Sequence, residues 1–219
     1  MAILTFPLQL SEFFDLLPIA KTRMDIPEAL DVAETESGEL ITADLGTALW
    51  SGQIDMTMLQ HHEAAAIRPL VNILRRGGTS FFVSDATRPW PRLDPRGIVL
   101  GATTPTILAV GGSSREISLA GLPAWYPISR GDLLSFSYGA SPTRYALHEF
   151  VGDGAANQLG ETGLLEVTPP IRPGAMAGAA MQLVWPRCKA RLVPASADTG
   201  TSVNTITSDM TFRWRQTLR

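Results

Sequence analysis

Glycine and proline break this chain at short intervals, 19 of the one and 16 of the other in 219 residues, and the stretches between them are short, apolar and often alternating. Glycine loosens the backbone and proline removes a donor and fixes φ, so long regular elements have little room, and short strands joined by turns remain. We read a mainly β chain. Val32 to Glu36, Ser37-Gly38 and Leu40 to Asp44 spell a hairpin, because Ser-Gly supplies turn chemistry between two extended runs. Trp50 to Leu59 continues as strand. In Thr211 to Leu218, Phe212, Trp214, Gln216 and Leu218 fall on one face, and Thr211, Arg213, Arg215 and Thr217 on the other. That is the period of a half-buried strand whose charged face looks at solvent or at a partner.

One segment reads clearly as helix, Gln60 to Arg76, where Ile67, Leu70, Val71 and Leu74 recur at helical spacing. Gly77-Gly78 ends it, Arg75 and Arg76 sit at the negative end of its dipole, and Pro69 should kink it or mark the start of its second half. Ser11 to Leu17 offers a shorter helix capped by Ser11. After the strand Thr79 to Asp85, three prolines in Ala86 to Gly97 mark one boundary, and three in Pro169 to Gly174 mark another. Between them lie short strands at Ile98 to Leu100, Thr106 to Val110, Glu116 to Leu119, Asp132 to Tyr138, Thr143 to Val151 and Leu164 to Val167, a number that suits a small barrel. We therefore expect residues 1–91 and 169–219 to form one discontinuous domain and 92–168 to be inserted into it.

With 45% hydrophobic residues the chain can bury a core, and a net charge of −3 lacks the basic excess of a protein that grips nucleic acid. Cys188 is alone and cannot close an intrachain disulfide, and three histidines with one cysteine do not build a Cys-rich zinc site. The first 21 residues have no charged leader region and are interrupted by Pro7, Glu12, Asp15 and Pro18, and no apolar run approaches the roughly 20 residues of a membrane span. We expect a soluble chain without an export signal. Charge is uneven along it: residues 1–60 carry −8, 61–170 are balanced, and 171–219 carry +5. These ends are complementary, either within one domain or between neighbouring copies.

Catalytic constellations are hard to find. His61 and His62 are adjacent on a helix and point about 100° apart, so they do not converge on one ion. His148 reads as a lone surface or groove residue, and Glu161 with Glu166 as an exposed hairpin rim. No G-x-G-x-x-G, Walker or G-x-S-x-G pattern occurs. Arg130-Gly131-Asp132 spells an adhesive tripeptide but also an ordinary turn before a strand. The five tryptophans, Trp50, Trp90, Trp125, Trp185 and Trp214, could form a sugar-stacking platform, though core and interface anchoring is their commoner use. Sixteen arginines against two lysines favour planar, bidentate pairing at interfaces.

Several of these stretches, in this order, resemble the distal tail proteins of long, non-contractile-tailed bacteriophages and related tail machines. The resemblance runs from Gly46-Thr-Ala-Leu-Trp-Ser-Gly-Gln-Ile-Asp-Met-Thr57 through the helix Glu63 to Arg76 and the strand Thr79 to Asp85. It continues in Arg130 to Phe136 with Arg144 to Phe150, and ends in Phe212 to Leu218. It implies a split-barrel or β-sandwich ring (belt) domain with one α-helix, interrupted by an inserted OB-type small β-barrel. It also implies a homo-hexameric ring at the distal end of a virion tail, made in the host cytoplasm. That ring would join the tail tube protein to baseplate hub or tip proteins, with DNA passing through the lumen without specific binding. No catalysis and no cofactor are expected. Candidate interface donors are Arg75, Arg76, Arg213, Arg215 and Arg219. The alternative is a carbohydrate- or receptor-binding module in which Trp125, Tyr126, Tyr138 and Tyr145 of the barrel face a ligand.

Overall fold

The computed structural model describes residues 4–28, 30–44, 46 and 48–219, together with the backbone but not the side chain of Asp44. Thr47, part of the tail-protein motif, lies outside the described residues. In chain order the first part holds β1 (Ile19–Asp25), β2 (Leu30–Glu34), β3 (Leu40–Asp44), β4 (Ser51–Met56), β5 (Leu59–Gln60), α1 (His61–Leu74) and β6 (Phe81–Ser84). The middle holds β7 (Thr106–Val110), β8 (Glu116–Ala120), β9 (Pro127–Ile128), β10 (Leu133–Tyr138), β11 (Arg144–Phe150), β12 (Gly154–Ala155), β13 (Leu165–Thr168) and β14 (Met181–Gln182). The chain closes with β15 (Arg187–Leu192), β16 (Asp198–Val203) and β17 (Ile206–Gln216). The fold is mainly β with one α-helix, as the punctuation requires.

One curled sheet runs β1-β4-β17-β15-β6, with β5 and β16 paired to the first half of β17. The alternation of β17 is realised: Phe212 and Trp214 are each 1% exposed and Gln216 is 6% exposed, while Arg213 and Arg215 face outward. Leu218 lies beyond the strand. Phe13 meets Phe81 edge-on with ring centroids 5.0 Å apart, and Phe81 meets Phe212 at 6.3 Å. Such pairs contribute about 0.5–1.5 kcal/mol beyond the area they bury. α1 covers this core with Ala64, Ile67, Val71 and Leu74 and continues through Pro69. Its start is set by Gln60, whose N–H donates to the Glu63 carboxylate at 2.9 Å. The expected helix at Ser11 to Leu17 is instead two single 3₁₀ turns, Leu10–Glu12 and Phe14–Leu16. The cap there is Gln9 rather than Ser11, its N–H donating to the Glu12 carboxylate.

The second sheet runs β14-β10-β11-β13-β8-β7. Its ends meet: Ile107 N–H donates to the Ala179 carbonyl at 3.0 Å, and Met181 N–H to the Pro105 carbonyl at 2.8 Å. The result is a closed, antiparallel small barrel of Greek-key order with six strands, one more than a five-stranded OB barrel. Its core holds Ile107, Ile117, Leu119, Tyr126, Leu134, Phe136, Phe150 and Val167. Ile171, Met181 and Leu183 pack in the same core, so the stretch after Thr168 goes with the barrel and not, as expected, with the first sheet. β14 pairs with β10, and that pairing carries the chain past the Pro-rich segment before it returns. Ile98 to Leu100, expected as strand, is a turn. The buried Asp94 carboxylate accepts the N–H groups of Val99 and Leu100 at 2.8 and 2.9 Å, which leaves them nothing for a ladder.

The chain leaves the first sheet at Ser84 and returns at Arg187, and these two are register partners of β6 and β15. At this neck Trp185 N–H donates to the Pro89 carbonyl, and the Trp90 and Trp185 rings meet edge-on at 6.5 Å. Arg88 ties the neck to the barrel through Asp85 at 2.9 Å and Glu149 at 3.1 Å. β11 is buried on both faces. Ala146, His148 and Phe150 point into the barrel, whereas Tyr145 and Leu147 pack on the first core. The Trp50 indole N–H donates to the Leu147 carbonyl at 2.7 Å across this junction.

Candidate functional site

Among the described residues β2 and β3 pair only with each other. Their turn is built by Thr35, whose hydroxyl accepts the Glu39 N–H at 3.0 Å and whose N–H donates to the Glu39 carbonyl at 2.9 Å. Gly38 supplies the left-handed φ of +81° that the turn needs. The hairpin read from the sequence is therefore present, but the rest of the chain leaves both of its faces open. Residues 30–34 and 40–43 are all exposed, including Leu30, Val32, Leu40 and Ile41. Register places Leu30, Val32 and Leu40 on one face. Asp31, Glu34, Glu36 and Glu39 make the arm acidic, and no Lys or Arg occurs between Arg23 and Arg68 in the sequence. No ion pair among the described residues engages Asp31, Glu34, Glu36 or Glu39.

The arginines gather elsewhere. Arg75 and Arg76, just past the end of α1, line a groove of about 560 Å³ together with Arg191 of β15. Leu74, Leu192, Pro194, Ala195 and Ala197 line it too, with Gly77, Gly78 and Thr79 of the turn after the helix. Arg75 donates to the Ala197 carbonyl at 2.9 Å, which occupies one of its five donors. Arg191 is the register partner of Arg215, and Arg215 of Ser51, so these side chains share the outer face of the sheet. Arg23, Gln53 and Arg213 form the adjacent row. Arg75 and Arg76 thus share a groove with Arg191, and Arg191 shares the outer face of the sheet with Arg215 and, one row on, Arg213. Arg219 stands apart, past the end of β17. Arg191 joins the two groups and was missed in the sequence, because its place depends on a pairing 24 residues away in the chain. Among the described residues none of Arg75, Arg76, Arg191, Arg213 and Arg215 has a carboxylate within ion-pair distance.

The four aromatics expected on one barrel face do not share it. Trp125 is 68% exposed and holds φ +63°, a left-handed conformation costly for a bulky side chain. Tyr126 is buried, its hydroxyl donating to Asp94 at 2.9 Å, and burial with that carboxylate pushes its pKa up. Tyr138 lies in the barrel core. Tyr145 is opposite Ser137 rather than Tyr138, so it points the other way, onto Phe82 at 4.7 Å. The Trp125 N–H donates to the Asn157 carbonyl, and the Asn157 side chain accepts the Leu159 N–H in the turn that leaves Leu159 80% exposed.

His148 is not on the surface. It is 3% exposed, stacked on Phe136 at 5.5 Å, and its Nδ1–H donates to the Pro169 carbonyl at 2.7 Å. Burial pushes its pKa down to about 4. Asp132 of the Arg-Gly-Asp tripeptide is also buried, accepting the N–H groups of Arg92 and Ser129, so that tripeptide is a turn and cannot be presented to a receptor. Glu166 faces Glu116 across the ladder, not Glu161. His61 is exposed and its ring contacts Thr207 and the Asn204 carbonyl. Cys188 is fully buried, which pushes its thiol pKa up. Among the described residues no group of three or more His, Cys, Asp or Glu side chains is placed to hold a metal, and no helix is long and apolar enough to cross a membrane. No protein-family model matches the chain, and no curated protein matches it either.

Proposed function

We propose that this protein is a ring-forming structural subunit, a distal tail adaptor between the tail tube and the baseplate or tip of a phage-like tail, with a scaffolding rather than a catalytic role. The observation that carries this reading is the β2–β3 arm. A two-stranded hairpin is at best marginally stable in water, and this one leaves Leu30, Val32, Leu40 and Ile41 exposed. Such an element is accounted for by a partner that covers it. The resemblance of the sequence to distal tail proteins supplies the partner, further copies of the chain in a closed head-to-tail ring, and the expected number of six. Native mass spectrometry over a concentration series is the test. A single closed oligomer is expected, and a monomer at every concentration, with no ring in the assembled particle, overturns the reading.

A second reading, that the barrel binds a glycan or other receptor, is favoured by Trp125 alone, an exposed indole held in a strained backbone. Titrating glycans while following tryptophan fluorescence tests it. A saturable change abolished by Trp125→Ala supports it, and no change across a glycan panel removes it.

A further inference from the structure

The arm and the arginine groove are complementary in two separate respects. The arm presents Leu30, Val32 and Leu40 on one face, with Glu34 beside Leu40 on that face and Glu36 and Glu39 at its turn; the groove is lined by Leu74, Leu192 and Ala197 together with Arg75, Arg76 and Arg191. Neither set of charges has an ion-pair partner in its own chain among the described residues. The outer row Arg215 and Arg213 extends the basic surface beyond the groove.

We infer that the β2–β3 arm of one copy docks into the Arg75–Arg76–Arg191 groove of the next, so that each copy offers an arm on one side and a groove on the other. This rests on the ring reading above and names its contact. Because arm and groove are different surfaces, the interface is heterologous, and repetition leads to a ring when the rotation closes. Apolar contact supplies most of the attraction. The arginines select the acidic arm and fix its register, since planar guanidinium forks bind carboxylates bidentately. The docking weakens as salt rises to the extent that these pairs stay solvated.

The test is charge exchange in the full chain. Glu34→Lys, Glu36→Lys and Glu39→Lys together should raise the concentration for half-assembly at least tenfold, and Arg75→Glu, Arg76→Glu and Arg191→Glu together should do the same. The chain carrying all six should return to within about threefold of the original. A groove variant that assembles unchanged overturns the docking and leaves the ring standing. Loss in both variants without recovery in the sixfold chain overturns it too, because the arm then contacts another surface. A chain that never assembles ends both readings. Cross-linking guards against variants that misfold. A Ser37→Cys chain mixed with an Ala195→Cys chain should give a disulfide-linked heterodimer on oxidation, as the native Cys188 is fully buried. Rings that form without this cross-link overturn the docking. So does retention of duplex DNA by the wild-type chain that is lost with Arg75, Arg76 and Arg191, since the groove would then serve a nucleic acid.

Discussion

At the scale of single residues, polar groups taken out of water shape this molecule most. Asp94, 1% exposed, accepts two backbone N–H groups and the Tyr126 hydroxyl, and so turns Ile98 to Leu100 away from the strand they were expected to form. His148 is the case with a pH signature. Its single described partner, the Pro169 carbonyl, requires the proton on Nδ1, while Nε2 has none. Burial first, and the charge of Arg172 to a lesser degree, disfavour the imidazolium and lower the pKa from 6.5 to about 4. The unfolded chain therefore takes up a proton below pH 6.5 that the folded chain refuses until about pH 4. Stability contributed at neutral pH is lost across that window, on the order of 3 kcal/mol in all. Chemical denaturation of the wild type between pH 7 and 4 should show this loss. His148→Asn, which keeps a donor near the Nδ1 position but does not titrate, should show a shallower slope. Parallel slopes would mean that His148 is not the titrating group.

At the scale of elements, one close approach fixes the centre of the first sheet. A Cβ on Gly52 of β4 would stand 2.3 Å from the Arg23 carbonyl and 2.6 Å from the Trp214 ring, so β1, β4 and β17 come together only because that side chain is absent. Backbone on one side and a fully buried indole on the other leave nothing flexible to move. Gly52→Ala should cost about 3 kcal/mol, at the upper end for overpacking, and a melting temperature within two degrees of the original would contradict it. β17 illustrates a different division of labour: its inward residues build the core and its outward arginines build the basic surface, both from one alternation. β11 is buried on both faces over Ala146, Leu147 and His148, and its alternation is why Tyr145 packs on the first core while His148 stacks on Phe136 of the barrel.

At the scale of the whole molecule, the register pair Ser84 and Arg187 sets where the chain departs and returns. Removing the expected insertion, 92–168, would leave Ile171, Met181 and Leu183 without the barrel they pack in. Replacing residues 86–185 by a four-residue glycine-rich turn should give a chain that melts cooperatively. Its melting temperature should be lower than that of the full protein, because it loses the Trp50–Leu147 hydrogen bond and the Phe82–Tyr145 contact. Excising 92–168 should instead give an aggregating chain. Circular dichroism melts of the two, side by side, decide: cooperative melting of the second and not the first would place the neck elsewhere.

The alternation from Thr211 onward, the Ser-Gly hairpin and the single apolar helical stripe were legible in the chain itself, since each depends on contacts or periods only a few residues long. The proline clusters suggested two places where the chain changes partners, but the second lies within the stretch that packs with the second sheet, because β14 joins β10 with Phe136 and Met181 45 residues apart and leaves no local mark. Of the candidate site, the outward direction of Arg213 and Arg215 follows from the alternation of β17. The place of Arg191 beside both arginine groups did not show in the sequence, nor did the burial of Tyr126, Tyr138 and His148. Side-chain direction follows from local backbone period, whereas which charges meet and which polar groups lose water are decided by pairing between distant strands, and that exists only once the chain has folded.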